Sequence, residues 1–456
     1  MPRRIIAPND SRAGRLVRPA RLSLCAAALI AAAPALPLAA SPPARSAATA
    51  AQPLGGQTIA DFYAARGGRP LWLHADGSAG LEAMALVDLL RGAEADGLDP
   101  DRYRPRLLAR AARSAGRSPA EIRRTDLLLS QAFVAYVRDL KRTPRVGIVW
   151  VDPELKPKPP TPRQLLETAA SATSLETWLA DMRFMHPIYA GLRNAIARGQ
   201  AGSAERQVLR LNLERARALP SGDQRHIIVN ATAARLTAYE GGEIVDSMRV
   251  VVGKPKNPTP VMAAYIRYTA LNPYWYVPPD LAAERIAPNV LKQGIRYLET
   301  QGYQVMANWN DDNTVIDPTT IDWQAVADGN RQVHIRQLPG RANAMGKMKF
   351  MFPNDQGVYL HDTPDKELLS EPARMFSGGC VRLEDAPRLA AWMHGQPLTA
   401  TGRKAEQRID LARPVPVFIT YLTVMPSGTE LAVFPDVYGR DRDEMALLGN
   451  GLLAGS

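Results

Sequence analysis

Two residues in this chain have the type and spacing for nucleophilic chemistry: His361 and, nineteen positions later, Cys380. Cys380 sits in Ser377-Gly378-Gly379-Cys380-Val381-Arg382 and is one of only two cysteines; the other, Cys25, lies in a segment that reads as a removable export signal. An exported chain that keeps one unpaired thiol calls for an explanation, because oxidising compartments favour disulfides. A thiol attacks a carbonyl only as thiolate, so it needs a base or a positive potential beside it. His361 follows the apolar run Val358-Tyr359-Leu360, which places it at a strand end facing a second strand that carries the cysteine. The glycine turn admits a substrate carbonyl closely. Its backbone N–H groups, at Gly378, Gly379 and Cys380, are candidates to meet a developing oxyanion. Arg382 either holds a substrate carboxylate, raises the local positive potential, or forms an ion pair with Glu384 or Asp385.

Singly, each signal has a plainer reading. A lone cysteine is often a small buried hydrophobe, and a lone histidine on a strand is usually structural. Export, a single remaining thiol, the glycine turn and the upstream histidine together favour catalysis. The other histidines (His74, His186, His226, His334, His394) are scattered without metal-ligand spacing, so zinc hydrolysis is not expected. The order histidine-then-cysteine also argues against papain-like peptidases.

The elements that must position this pair divide the chain in two. From about Thr58 to Ala218 the apolar pattern is helical. Leu81–Ala95 has Leu81, Met84, Ala85, Leu89 and Ala93 at helical spacing and closes at Gly97. Thr125–Leu140 puts Leu128, Ala132, Tyr136 and Leu140 on one face. Five prolines within 152–163 predict an extended connector. Helices resume over 162–172, 174–183, 186–198 and 203–218. From Arg225 strands follow at 225–230, 235–240 and 243–252, with Gly241-Gly242 as a hairpin turn. More strands are expected at 264–271, 331–337, 346–352, 357–360 and 415–424. A helical and loop insertion over about 279–330 is placed to act as a substrate lid.

At 456 residues the chain is long enough for two or three cored domains. Of its +11 net charge, +6 sits in residues 1–50, which hold seven arginines against Asp10. The remainder shows no basic stripe or nucleic-acid module, so no nucleic-acid partner is expected. The Arg-rich start, the apolar run Leu22–Leu38 and Ala48-Thr49-Ala50 (or Leu38-Ala39-Ala40) predict a cleaved secretory signal within residues 1–50, then a linker over 51–57. No stable membrane span is expected after cleavage.

His361 with Ser377-x-Gly379-Cys380-x-Arg382 resembles the signature of the L,D-transpeptidases of the YkuD superfamily. Flanking stretches extend the likeness to its large periplasmic subfamily: Arg249-Val-Val-Val-Gly-Lys-Pro, Leu271-Asn-Pro-Tyr-Trp-Tyr-Val-Pro-Pro, Asn343-Ala-Met-Gly-Lys-Met-Lys-Phe-Met-Phe-Pro-Asn and Tyr359-Leu-His-Asp-Thr-Pro. Pro70-Leu-Trp72 and Asp96-Gly-Leu-Asp-Pro100 are similar to that subfamily's helical scaffold. The resemblance implies an α+β multidomain protein: a helical scaffold domain (58–221), then a β-sandwich-like catalytic domain (222–440) with a helical lid over about 279–345, and a tail from 441 to 456. It implies a cysteine acyl-enzyme without cofactor or metal, periplasmic location, and reactivity with carbapenems. The partners implied are peptidoglycan tetrapeptide stems, as donor and acceptor, and other cell-wall synthesis proteins. Cys380 would be nucleophile and His361 general base and acid, with D-Ala released and 3→3 crosslinks formed. Gly378 and Gly379 would supply oxyanion donors; Arg382, Ser377, Tyr359 and Trp275 would touch substrate. Two departures stand out. The small peptidoglycan-binding-like module of the subfamily is missing between the two domains, and Gly378 replaces the usual Ser or His. Transfer to water or to a free D-amino acid, and a non-catalytic wall scaffold, are the alternatives.

Overall fold

The structure, a computed structural model, describes residues 57–114, 118–199, 202–308 and 314–452. The expected export signal and the linker up to residue 56 lie outside the described residues.

Eight helices open the described chain: α1 (Ile59–Ala65), α2 (Leu81–Arg91), α3 (Pro105–Arg113), α4 (Pro119–Leu140), α5 (Pro162–Ala170), α6 (Leu175–Ala180), α7 (Pro187–Ala197) and α8 (Ser203–Ala216). Their starts are written locally. Thr58 with Asp61 and Thr161 with Gln164 form capping boxes, and Ser118 caps α4 ahead of Pro119. The helix expected to run to Ala95 tightens into a 3-10 turn over Gly92–Asp96 and ends at Gly97, φ 70°. Helix α4 is wrapped by neighbours on more than one side. It buries Leu129, Phe133 and Val137 beside Tyr136 and Leu140, and leaves Leu128 and Ala132 half-buried. The proline-rich connector carries β1 (Val149–Trp150) ahead of it.

The strands are β2 (His226–Asn230), β3 (Arg235–Glu240), β4 (Glu243–Gly253) and β5 (Met262–Leu271), then β6 (Trp275–Val277), β7 (Tyr303–Met306) and β8 (His334–Gln337). They continue with β9 (Met348–Met351), β10 (Leu360–His361), β11 (Met375–Ser377), β12 (Val381–Leu383), β13 (Gln407–Thr420) and a final hairpin, β14 (Val424–Ser427) with β15 (Glu430–Val433). Gly241 and Gly242, at φ 60° and 89°, turn β3 into β4 in the backbone region where a β-carbon is unfavourable. The pairing runs β5-β13-β2-β3-β4-β12-β10-β9, and β9 pairs back onto β5. The sandwich-like layers therefore close into a ring of eight strands. Strand β5 makes this possible by pairing β1 with its first two residues and β9 with its last four.

Side chains alternate across this ring. Ile227, Val229, Val250, Val252, Phe350, Leu360, Val381 and Leu383 point into an apolar interior. Ile228, Tyr239, Ala263 and Phe418 point outward into a second core shared with the scaffold helices. That is why β2 is buried at every position. The chain after residue 440, expected as a tail, instead forms α14 (Arg440–Leu452), with Asp441 and Glu444 both paired to Arg215 of α8.

The insertion between β5 and β9 has its own core, with Trp275, Val277, Ile286, Trp323 and Ile335 among its members. It is less helical than expected. Strands β6, β8 and β7 form an antiparallel sheet beside α9 (Pro279–Leu281), α10 (Ala287–Gln293), α11 (Arg296–Thr300) and α12 (Trp323–Ala327). The last catalytic-domain helix, α13 (Ala386–His394), is capped by Asp385.

Scaffold and ring meet through two buried histidines. His186 accepts the Ile188 N–H at Nδ1, so its Nε2 carries the proton. His226 Nδ1 lies 2.6 Å from the Gln224 carbonyl and is the donor there, so its Nε2 is free to accept. The two Nε2 atoms are 3.2 Å apart. Burial pushes His226 down to about 4 and His186 well below the ordinary value. The folded protein thus refuses protons that the unfolded chain takes up from about pH 6.5 downward. This stability is present above pH 6.5 and lost as pH falls toward 4. We expect the unfolding free energy, and with it the thermal midpoint, to fall between about pH 6.5 and 4.5, the free energy by on the order of 2 kcal/mol per refused proton near pH 5. A midpoint flat across that window in a circular-dichroism melt would contradict it.

Candidate active site

Strand β10 lies between β9 and β12. His361 pairs with Lys349 on one side and with Arg382 on the other, the latter in parallel register. Leu360, Val381 and Leu383 face the ring interior, so His361, Arg382 and, by the same alternation, Cys380 share the outer face. His361 is 2% exposed, and its Nδ1 lies 2.5 Å from the Asp362 carbonyl. Only a protonated Nδ1 satisfies that carbonyl, so Nε2 keeps the lone pair. Asp362 is fixed in turn: its carboxylate accepts the Lys347 N–H at 2.9 Å and the Lys366 ammonium at 2.8 Å.

Two cations flank the imidazole, and each is held by a carboxylate. Arg382 pairs with Asp365 at 2.9 Å and Lys349 with Glu406 at 3.0 Å. Burial, then Arg382, and more weakly Lys349, bring His361 down to about 3 against the opposing pull of Asp362. Cys380 is the free cysteine among the described residues and is half-buried. Burial pushes its thiol up, while a hydrogen bond with the Tyr359 backbone and the Arg382 charge pull it down. Both shifts favour the neutral forms, a protonated thiol and an unprotonated imidazole.

The turn ahead of Cys380 is strapped on both sides. Ser377 Oγ donates to the Cys380 carbonyl at 2.6 Å and accepts the Gly379 N–H at 3.1 Å. Thr259, fully buried, donates to the Gly379 carbonyl at 2.8 Å and accepts the Gly253 N–H at 2.8 Å. Gly379 stands at φ 121°, a conformation that favours glycine.

These contacts revise several expectations. Gly379 does not offer a free oxyanion donor, because Ser377 takes its N–H. Among the described residues the N–H groups of Gly378 and Cys380 have no acceptor, and they are the donors left. Ser377, 2% exposed, braces the turn and is not placed to touch substrate. Arg382 pairs with neither Glu384 nor Asp385. Glu384 is bound by Arg249 and Asp385 caps α13, while Arg382 turns to Asp365. Trp275 belongs to the core of the insertion and is 7% exposed. Tyr359 does stay beside the thiol: burial and then Cys380 push its hydroxyl up.

Sequence reasoning missed Lys349, Asp365 and Thr259, whose roles arise from pairing between distant segments. It also missed Leu281 of α9. A β-carbon on Gly378 would lie 3.3 Å from Leu281 Cδ1, so the insertion touches the turn itself. Lys256 of the β4–β5 loop pairs with Glu284 of the insertion at 2.8 Å nearby. We expect Gly378→Ser to be absorbed by a small shift of Leu281, slowing acylation by less than about tenfold, with Leu281→Ala restoring the rate. Stopped-flow acylation is the measurement. A loss of about a hundredfold or more would mean that the space over Gly378 is needed in the transition state.

Residues 57–196 match the scaffold domain family, and residues 224–419 match the L,D-transpeptidase catalytic domain family. The chain carries an L,D-transpeptidase catalytic domain behind a scaffold domain. A Haemophilus influenzae protein carried as a candidate L,D-transpeptidase is 31% identical over 243 residues, 52% of this chain and 48% of that protein. Among solved structures, an L,D-transpeptidase from Mycobacterium smegmatis is 15% identical over 43% of this chain and 58% of its own, with a TM-score of 0.22. One from Enterococcus faecium is 11% identical over 44% and 52%, with a TM-score of 0.21. The chain spans about half the length of the curated relative. Within the L,D-transpeptidase match lie the ring up to but not including the last residue of β13, the insertion, His361 and Cys380; helix α8 occupies the interval between the two matched segments. Among the described residues no helix is long and apolar enough to cross a membrane, and no group of histidine, cysteine and carboxylate side chains is placed to hold a metal ion.

Proposed function

We propose that this L,D-transpeptidase is an exported, periplasmic acyltransferase that uses Cys380 as nucleophile and His361 as base on peptidoglycan tetrapeptide stems. The observation that carries the reading is the register of β10 on β12. It puts His361, with its free lone pair at Nε2, directly across from Arg382, two residues after the only thiol among the described residues. Cys380 Sγ attacks the diaminopimelate carbonyl as His361 Nε2 takes the thiol proton. The C–N bond to D-Ala breaks, the leaving amine receives that proton, and a thioester remains. The amine of a second stem then attacks the thioester, His361 relays its proton to the departing sulfur, and a 3→3 crosslink forms.

The neutral resting pair fits this sequence. An imidazole held low takes the thiol proton only as the sulfur bonds to the carbonyl, and once protonated it hands that proton readily to the leaving amine. The N–H groups of Gly378 and Cys380 serve the oxyanion. Other cell-wall synthesis proteins are the natural partners of such an enzyme. The test is intact-mass spectrometry with a carbapenem, followed by assay of D-Ala release from disaccharide-tetrapeptide. One adduct per chain together with dimer formation is expected. A folded protein that takes no adduct and releases no D-Ala would refute the reading.

A further inference from the structure

A cavity of about 460 Å³ lies between the scaffold helices and the outer face of the ring, walled on one side by the proline-rich connector. Its lining includes no residue of the 357–382 segment that carries Cys380 and His361. Its size falls in the range of small-molecule sites, and such sites favour the seam between structural units. Pro157 and Pro160 stiffen the connector wall, and Leu155, Leu165 and Phe184 make part of the lining apolar.

The charges around it are of both signs. Lys141, the residue that closes α4, lines the cavity half-buried, and among the described residues its ammonium has neither a hydrogen bond nor an ion pair. Lys156 and Lys158 on the connector are likewise unpaired among the described residues, and Arg183 is held at 3.3 Å by Asp181. Glu154 and Asp223 are the two carboxylates of the lining. Trp178, 8% exposed, and Tyr265 present aromatic surface. Cations and carboxylates lining one cavity suit a ligand that itself carries both carboxylates and an ammonium. The two acids give an ammonium somewhere to sit, and aromatic faces suit sugar and methyl groups.

We propose that this cavity binds a second, non-reacting peptidoglycan stem, recognised as a ligand with several carboxylates and one ammonium, and so holds the wall polymer while the distant thiol works. The proposal rests on the function proposed above. It also gives this chain a polymer-holding site of its own between scaffold and catalytic domain.

The state of Lys141 makes the test direct. Burial lowers its amine to about 8, opposed by Asp223. At about pH 8 it is more reactive than an exposed lysine, whose ordinary value is near 10.4. The full-length Cys380→Ala protein is pulsed with acetic anhydride, with and without soluble disaccharide–tripeptide ending in diaminopimelate, and Lys141 acetylation is read by peptide mass spectrometry. We expect Lys141 to label several-fold faster than exposed lysines such as Lys404 and to be protected about fivefold or more by the stem. Lys156→Gln with Lys158→Gln should raise the stem concentration needed for half-maximal protection about tenfold, and carbapenem adduct formation in the same double variant carrying Cys380 should be unchanged. Labelling of Lys141 that is unchanged at saturating stem, or protection matched by acetate at equal ionic strength, would overturn the proposal. Because the adduct at Cys380 is measured separately, a failure of this site and a failure of the catalytic reading give different results.

Discussion

Cys380→Ala is expected to abolish both the carbapenem adduct and the release of D-Ala, while the thermal midpoint moves by no more than about 4 °C. The thiol is half-buried, and its one side-chain contact to a carbonyl, Gly357 O at 3.7 Å, is long. The turn that presents it is held by Ser377 and Thr259 rather than by the sulfur. Removing the sulfur therefore takes away the attacking atom and little of the packing. The measurement pairs intact-mass spectrometry with a melt. Residual D-Ala release in a well-folded Cys380→Ala protein would show that another group attacks the carbonyl.

His361→Gln has the second-largest expected effect, a loss of about 10²- to 10⁴-fold in acylation rate, with the adduct still reaching one per chain given time. Glutamine keeps the burial but cannot take the proton. The pH dependence is the sharper readout. His361 sits near 3 because it is buried between Arg382 and Lys349, so the base stays neutral down to about pH 4. The acylation rate of the unchanged enzyme should therefore show no acid limb near 6.5, the ordinary histidine value. It should rise at alkaline pH as the raised thiol ionises. Lys349→Met removes the weaker of the two flanking cations, so it should raise the histidine value only slightly and leave neutral pH still free of an acid limb, since burial and Arg382 remain. An acid limb near 6.5 in the unchanged enzyme would mean that the imidazole is not shielded in solution as it is here.

The local grammar of the scaffold could be read from the chain, because it is written within a few residues: Thr58 with Asp61, Ser118 before Pro119, Gly97 after its helix. The first hairpin was legible for the same reason at Gly241-Gly242. Strand ends were less so. The strand expected at 415–424 runs from Gln407 to Thr420, with Arg408 and Asp410 early in it and an irregular register between Asp410 and Val415. Charged residues on an open face erase the apolar signal that marks a strand.

At the site, Cys380 and His361 stood out by type and by the glycine turn. The pairing that surrounds them did not, since Lys349, Asp365, Glu406 and Thr259 come together only through registers set by distant segments. The same long-range pairing closes the ring, buries Ser377 and sets Trp275 in the core of the insertion. Chemistry-bearing residue types are visible in one dimension, whereas the residues that tune them are chosen by the fold.

Leu271 and Met348, the last residue before the insertion and the first strand residue after it, are partners across β5 and β9. Its two ends therefore meet as the two legs of a hairpin would. Chain added or removed at such a point leaves the ring's pairing untouched and changes closure entropy only slowly with length. The catalytic ring and its cover are in this sense separable inheritances. A lineage can exchange the cover, and with it Leu281 over the glycine turn, without rebuilding the strands around Cys380 and His361.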